Sequence, residues 1–338
     1  MMKGPNAFWI TWELQPRNRS MARELGVPLH ELSFSGSRLA RHLKSVVSTL
    51  RLLLRERPSV VFSSNPSLVL TYLLLVCRWL GAFRLTIDAH FGGVVAVTGN
   101  RFIQWVLDFA NRQADTVIVT NEAHADHVRQ VGGAPFVCPD PLPSIRASST
   151  RPAALRDVKK SVLFVCSYDY DEPYEAVFEA ARTLGEHGFR VFASGAYSRV
   201  GLSPENVSHV TLLGYVARAE YEAYIRHVDV VLDLTTWQDC LVCGAYEAMA
   251  VGKPCVLSRT RSLTALFTHG TVFTSHEPRD IAAAVCDAYD RREALSAEIA
   301  GWVDRHEADL RKRAATLRAT VGLPLSDICV SPSLATSL

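Results

Sequence analysis

The sequence predicts an α/β protein of two doubly wound parallel-sheet domains. Short, unbroken β-branched runs alternate with helix-length segments, and each half repeats the alternation. A Pro/Ser-rich connection, Pro139-Asp-Pro-Leu-Pro-Ser144 and Ala147-Ser-Ser-Thr-Arg-Pro152, separates the halves. Strands buried on both faces read as continuous apolar runs, and helices between them make βαβ units. The 338 residues suit two domains of about 150 each. With 48% hydrophobic and 21% charged residues, the chain has apolar material for two cores.

In the first half, Phe8-Trp-Ile-Thr-Trp12 is aromatic and β-branched and reads as a strand. A short helix at 18–25, a strand at 28–34 and a long helix at 37–57 follow. Strand 60–64, helix 66–80 and strand 84–89 come next, then helix 100–113, strand 116–120 and helix 122–131. The second half gives strand 162–165, helix 173–187, strands 190–194 and 210–213, and helix 218–227. Strand 230–234, a small-residue helix at 244–251 and strand 255–258 complete the pattern. The expected domains are 1–143 and 159–303, joined by a linker at 144–158. A charged helix at 304–322 and a tail at 323–338, reading as unfolded over 331–338, end the chain.

The net charge of +2 hides an asymmetry. Residues 1–150 hold sixteen Lys and Arg against ten Asp and Glu, a net +6. Residues 151–338 hold twenty against twenty-four, a net −4. A basic half points to an anionic partner, such as phospholipid or a pyrophosphate-linked acceptor. Nucleic acid is disfavoured, because the excess is modest and no recognition motif appears. The chain opens on a strand-like segment rather than a secretory leader. Its eight scattered cysteines, most in apolar segments, resemble buried free thiols of a reducing compartment. A cytoplasmic location is therefore expected. Cys240 and Cys243 form a C-x-x-C, but no second ligand pair at a suitable spacing supports zinc.

Two apolar segments bear on membranes. Residues 68–77 carry no charge but cover about half a spanning helix, and read as a core helix. In 37–57, Leu39, Leu43, Val46, Val47, Leu50 and Leu54 share a face and six Lys/Arg populate the rest. Two readings fit: a membrane-surface helix, or the outer helix of a βαβ layer with a solvated charged face.

The chemistry concentrates in Asp239-Cys-Leu-Val-Cys-Gly-Ala-Tyr-Glu247, continuing as Ala248-Met-Ala-Val-Gly-Lys-Pro254. Its order is strand, polar loop, helix N-terminus. In open α/β sheets, ligands sit at the carboxyl ends of strands, and helix N-termini attract phosphates. A carboxylate further into the helix can accept hydrogen bonds from sugar hydroxyls. Such a site suits a sugar joined to a diphosphate.

The pattern resembles the paired-acid motif of family 4 glycosyltransferases of the GT-B fold, with Asp239 in place of the usual first Glu. The resemblance implies two Rossmann-like domains facing a cleft and a nucleoside diphosphate sugar held by the second. It implies that Glu247 binds ribose hydroxyls, that Asp239 meets the sugar, and that N–H groups near Cys243 and Gly244 meet the diphosphate. The loop starting Cys166-Ser167, the Gly195 loop and Leu212-Leu-Gly-Tyr-Val216, with Gly214 and Tyr215, correspond to further donor contacts. The family's usual Arg and Lys in the first donor loops are missing; Arg199, Arg17 or Arg19 would have to meet the pyrophosphate, with Lys253 and Arg259 weaker candidates.

In the first half, Ser64-Asn-Pro-Ser-Leu68, Ile87-Asp-Ala-His90 and Val119-Thr-Asn-Glu122 resemble segments of the dolichol-pathway chitobiosyldiphosphodolichol β-mannosyltransferase and of bacterial polysaccharide transferases. Imidazole titrates near neutrality and can take a proton from a hydroxyl. His90, Asp88 and Glu13 are therefore the candidate bases. Arg17, Arg19, Gly92 and Gly93 are candidates for acceptor binding. The expected reaction moves a hexose from a UDP or GDP sugar to a lipid-linked saccharide. The resemblance implies that it would use no metal or other cofactor. Two alternatives share the architecture: a nucleotide-sugar 2-epimerase and a non-catalytic partner subunit. An oxidoreductase is disfavoured, because no G-x-G-x-x-G follows either first strand.

Overall fold

The computed structural model describes residues 6–324 apart from 66, 82, 148–149 and 208. The chain divides into unit 1, Met1–Pro141 with Asp309–Leu338, and unit 2, Leu142–Ala308. Unit 1 holds β1 (Ala7–Thr11), α1 (Pro16–Glu24), β2 (Leu29–Glu31), α2 (Arg38–Glu56), β3 (Val60–Asn65) and α3 (Leu68–Leu80). It continues with β4 (Arg84–Ala89), α4 (Phe91–Val94), α5 (Arg101–Gln113), β5 (Thr116–Val119), α6 (Glu122–Gln130) and β6 (Pro135–Val137). Its six strands pair in parallel in the order β2-β1-β3-β4-β5-β6.

Unit 2 holds β7 (Lys160–Phe164), α7 (Tyr174–Glu186), β8 (Phe189–Ser194), β9 (Val210–Gly214), α8 (Arg218–His227) and β10 (Val230–Asp233). After these come α9 (Cys243–Ala250), β11 (Cys255–Ser258), α10 (Arg261–Leu266), β12 (Thr271–Thr274) and α11 (Pro278–Asp290). Its strands are again six and parallel, in the order β12-β11-β10-β7-β8-β9. The final helix, α12 (Arg292–Thr320), begins in unit 2 and ends in unit 1.

Both sheets are covered on two faces, which is why their strands read as unbroken apolar runs. Along β1, Phe8 and Ile10 face one core with Leu70 and Leu74 of α3. Ala7 and Trp9 face the other, with Met21 of α1 and Leu310 and Leu317 of α12. In unit 2 the same alternation sends Val162 and Phe164 toward α7 and α11, and Leu163 toward α8 and α9.

The sequence reading places most elements within a residue or two, but misses several. β6 and α4 span three and four residues, too few for a periodic signal. It also leaves α10, β12 and α11 unassigned. α12 begins at Arg292 rather than at 304, because Leu295, Ile299 and Trp302 extend its buried face onto the core of unit 2. The tail at 331–338 lies outside the described residues.

Helix α2 brings a reversal. Its inward face is Ser45, Thr49, Leu52 and Leu53. The leucine stripe instead looks outward, with Leu39 82% and Leu54 75% exposed. No described helix is long and apolar enough to cross a membrane.

Candidate active site

In unit 2 the paired acids occupy the loop after β10 and the helix α9. Asp239 lies in the loop and takes a bidentate hydrogen bond from Arg261, at 2.9 and 2.7 Å, at the start of α10. Glu247 lies on α9, with only 12% of its side chain exposed. It accepts from the Tyr221 hydroxyl at 2.5 Å and from Arg218 Nη1 at 3.1 Å, both from α8. Arg218 is itself held by Glu222, which also pairs with Arg146. Burial pushes the Glu247 carboxyl above its usual range, opposed by the Tyr221 hydrogen bond and Arg218. Burial and the facing Glu247 push the Tyr221 hydroxyl up as well. A polarised carboxylate beside a hydroxyl and a guanidinium is suited to gripping a vicinal diol.

Arg218, Tyr221 and Arg261 escape the sequence reading. One of them left a trace. Arg218 and Glu222 stand at i, i+4 spacing directly after the Gly214-Tyr215-Val216 segment.

Two expected donor contacts are turned inward. The Gly244 N–H donates to Asp233 at 2.7 Å, and Asp233 is buried beneath the start of α9. A Cβ on Gly244 would lie 2.5 Å from that carboxylate, so the glycine serves the packing there. Burial, then the neighbouring Glu172, hold the Asp233 carboxyl well above the ordinary range. The second case is the loop after β7. The N–H groups of Ser167 and Asp169 both donate to Glu172 at 2.9 Å, and the Ser167 hydroxyl joins them at 3.1 Å. Tyr168 between them adopts a left-handed φ of 63°. This nest of amides therefore holds a carboxylate of the chain itself.

The remaining donor candidates keep the expected loop positions. Gly195 ends β8 with φ 91°, and its missing Cβ would sit 2.0 Å from the Cys166 carbonyl oxygen. Gly214 closes β9, and the following Tyr215 is 83% exposed. Arg199 faces Asp169 at 3.7 Å. Cys243 is exposed at the head of α9, and the seven described cysteines are free. Burial raises the Cys240 thiol, which removes the thiolate character a redox C-x-x-C needs. Lys253 is half-buried, its pKa lowered by desolvation. The Arg259 guanidinium donates to the Phe273 carbonyl at 2.9 Å.

In unit 1, Asp88 and Arg17 were expected in separate roles and form one pair. Arg17 Nε and Nη2 donate to the Asp88 oxygens at 2.8 and 2.6 Å, with Asp88 fully buried on β4. Arg17 also pairs with Asp140. A carboxylate so engaged is a poor base, and a guanidinium so engaged is a poor phosphate ligand. Arg19 is likewise paired, with Glu31 at 2.8 Å, on the surface. His90 caps α4; its Nδ1 is buried and has no hydrogen-bond partner among the described residues. Burial lowers its pKa, with Asp88 opposing and Arg17 adding to the shift.

Gly92 and Gly93 form part of α4. Gly93 serves packing rather than ligand approach: its missing Cβ would lie 2.7 Å from the Asn65 carbonyl oxygen. Its own carbonyl accepts from the Asn111 side chain at 3.0 Å. Glu13 is held by the Gln15 amide at 2.7 Å and lines a cavity of about 400 Å³ in unit 1. Among the described residues, no group of three or more His, Cys, Asp or Glu side chains could hold a metal ion.

Residues 8–138 match the family description Glycosyl transferase 4-like domain, and residues 159–291 match Glycosyl transferases group 1. No curated protein sequence matches the chain. Among solved structures, the fold is similar to HepE of Anabaena, determined in complex with UDP-glucose. The two are 12% identical over 93% of this chain and 99% of that one, with a TM-score of 0.72. It is also similar to sucrose-phosphate synthase of Thermosynechococcus elongatus, 15% identical over 94% and 96% of the two chains, with a TM-score of 0.63. A third likeness is to a putative UDP-N-acetylglucosamine 2-epimerase of Listeria monocytogenes, 12% identical over 88% and 91%, with a TM-score of 0.59.

Proposed function

We infer the reaction from a premise that the two family matches supply: the chain belongs to the group 1 glycosyltransferases. It moves a hexose from a nucleoside diphosphate sugar to a hydroxyl of a lipid-linked saccharide, in polysaccharide or glycoconjugate synthesis, at the inner face of a membrane. Glu247 carries the reading. It is a largely buried carboxylate on the helix after a strand end, braced by Tyr221 and Arg218 in a way that leaves it able to accept ribose hydroxyls. The UDP-glucose complex of HepE supports a UDP sugar as donor. The first-half likeness to the dolichol-pathway enzyme keeps GDP as the other candidate base.

His90 receives the acceptor proton in this proposal, because Asp88 is committed to Arg17. An imidazole whose pKa is lowered by burial is neutral at pH 7 and so available as a base. Asp239 with Arg261 faces the transferred sugar, and the site works without a bound metal. The cationic helix α2 brings the enzyme to an anionic bilayer, where a lipid-linked acceptor resides.

A thermal-shift panel of UDP, GDP and ADP sugars tests the donor assignment. One donor should stabilise the protein, and Glu247→Ala should abolish that shift. Absence of a shift with every donor would count against transfer. Epimerised sugar from UDP-GlcNAc alone would identify a 2-epimerase instead, the activity named for the Listeria neighbour. A second reading, a non-catalytic partner, is favoured by the Glu172 carboxylate seated on the Ser167 and Asp169 amides. It predicts that Glu172→Ala gains nucleotide binding without gaining turnover.

A further inference from the structure

Two aromatic side chains of unit 2 stand apart from its cores. Tyr170 follows β7 and Trp237 follows β10, and these strands pair side by side in the sheet. Both loops therefore leave the same end of the sheet, with Trp237 two positions before Asp239. The two rings meet edge to face, their centroids 5.4 Å apart and their planes at 73°. Neither belongs to the core clusters, where Tyr174, Phe178, Tyr224 and Tyr246 pack. Tyr170 is 65% exposed. Two rings that add little to the core thus sit where an open α/β sheet takes its ligand.

A buried acid fixes the backbone under the pair. Asp171, beside Tyr170, accepts from the Thr235 hydroxyl at 2.5 Å, and its carbonyl accepts from the Thr236 N–H at 2.8 Å. The Thr235 hydroxyl accepts in turn from the Trp237 N–H at 3.2 Å. The Thr235 N–H donates to the Ser258 hydroxyl of β11 at 2.9 Å. The loops are tied to each other and to the sheet, so the rings need little ordering when a ligand arrives. An edge-to-face pair covers at most one face of either ring, so their mutual contact does not consume the stacking surface. Asp239 and Arg261 add a hydrogen-bonding edge beside it.

A pyranose ring has the matching division. Its faces present C–H bonds with a small positive charge, its rim presents hydroxyls, and aromatic faces are negative. The cations beside the two loops are already paired, Arg199 with Asp169 at 3.7 Å and Arg261 with Asp239 at 2.7 Å. A sugar carboxylate would have to break one of these pairs. The expected nucleobase segment follows β9, two places along the sheet from β7, which leaves this pair to the sugar. We propose that Tyr170 and Trp237 form the stacking platform for the transferred sugar and select a neutral hexose over a uronic acid. The inference rests on the transferase reading, to which it adds the sugar class and two specificity-determining residues.

Isothermal titration of the full chain tests it, with UDP, UDP-glucose and UDP-glucuronic acid, and in parallel with GDP, GDP-mannose and GDP-mannuronic acid. In the series that binds, Trp237→Ala should weaken the hexose conjugate about tenfold and leave the bare nucleotide unchanged. Trp237→Phe should restore the parent's affinity to within about threefold, because a ring face is what the sugar needs. Tyr170 is exposed, so Tyr170→Ala should keep the parent's unfolding midpoint and carries the test if Trp237→Ala does not fold. The uronic acid conjugate should bind the parent at least about tenfold more weakly than the hexose conjugate. An unchanged hexose affinity in both alanine variants would overturn the platform. An equal loss for the bare nucleotide would overturn the sugar assignment and give the rings to the base. Uronic acid binding as tightly as hexose would overturn the selection. Any of these results alongside nucleotide-sugar binding that still depends on Glu247 would leave the transferase reading standing. No binding in either series would sink that reading, and the platform with it.

Discussion

Unit 1 and unit 2 each wrap a six-stranded parallel sheet in helices, but they meet solvent differently. Among the described residues, unit 2 exposes only Tyr170, Val200 and Tyr215 of the large apolar side chains, whereas unit 1 exposes twelve. Unit 1 also carries the cationic excess. The difference extends inward. Each unit contains a bidentate Arg–Asp pair. Arg17–Asp88 in unit 1 is 11% and 0% exposed, while Arg261–Asp239 in unit 2 is 67% and 25% exposed. Unit 1 buries an ion pair and displays its leucines. Unit 2 leaves the Arg261–Asp239 pair open to solvent and buries its apolar surface. The same fold therefore presents an amphipathic surface on one unit and a polar, acid-lined edge on the other.

The pairs offer the sharpest test of that contrast. Arg17→Ala leaves the Asp88 carboxylate buried without its main counter-charge, and should cost about 3–5 kcal/mol in denaturant unfolding. An equal loss from Arg261→Ala would break the comparison; the expected loss there is only about 0–1 kcal/mol. Next in size is Gly195→Ala in unit 2, where the added Cβ meets the Cys166 carbonyl at 2.0 Å with φ at 91°. About 3 kcal/mol should be lost. As its control, Gly185→Ala in α7 meets nothing within 4 Å and should gain about 0.5–1 kcal/mol.

His90→Ala should lower kcat about a hundredfold, the contribution of a general base. Because burial depresses the His90 pKa, the acid limb of the parent's rate profile should fall below about pH 6.5. An acid limb above that value would remove His90 from the role. The smallest effect concerns Asp233. Its folded-state pKa is raised, so its stabilising contribution is full below the unfolded value of about 3.9 and is lost as pH rises through the folded pKa. Asp233→Asn keeps an oxygen for the Gly244 N–H. Its thermal midpoint should gain on the parent as pH rises, and a gain that shrinks with pH would refute the assignment.

Legibility differed between the two units in the same way. The acid pair Asp239 and Glu247 could be read directly, because strand, loop and helix follow one another in eight positions of spacing. Glu247 was visible, but its partners on α8 lie 26 and 29 positions away. Asp88 looked like a free acid, because the arginine that claims it is 71 positions distant. The role of Glu172 is not legible in the sequence, since the capture of the Ser167 and Asp169 amides depends on the left-handed turn at Tyr168.

The sequence by itself determined the alternation of strands and helices, the two parallel sheets and the place of the acid pair. All of these are local patterns, written in the two-residue and 3.6-residue periods of strand and helix. Only the tertiary structure decided which face of α2 is inward and which carboxylates are free. A helix with leucines on one side and serine and threonine on another can pack either way, and its neighbours choose. Here Leu52 and Leu53 with two small polar residues fill the layer over the sheet, and the longer stripe of leucines is left to solvent.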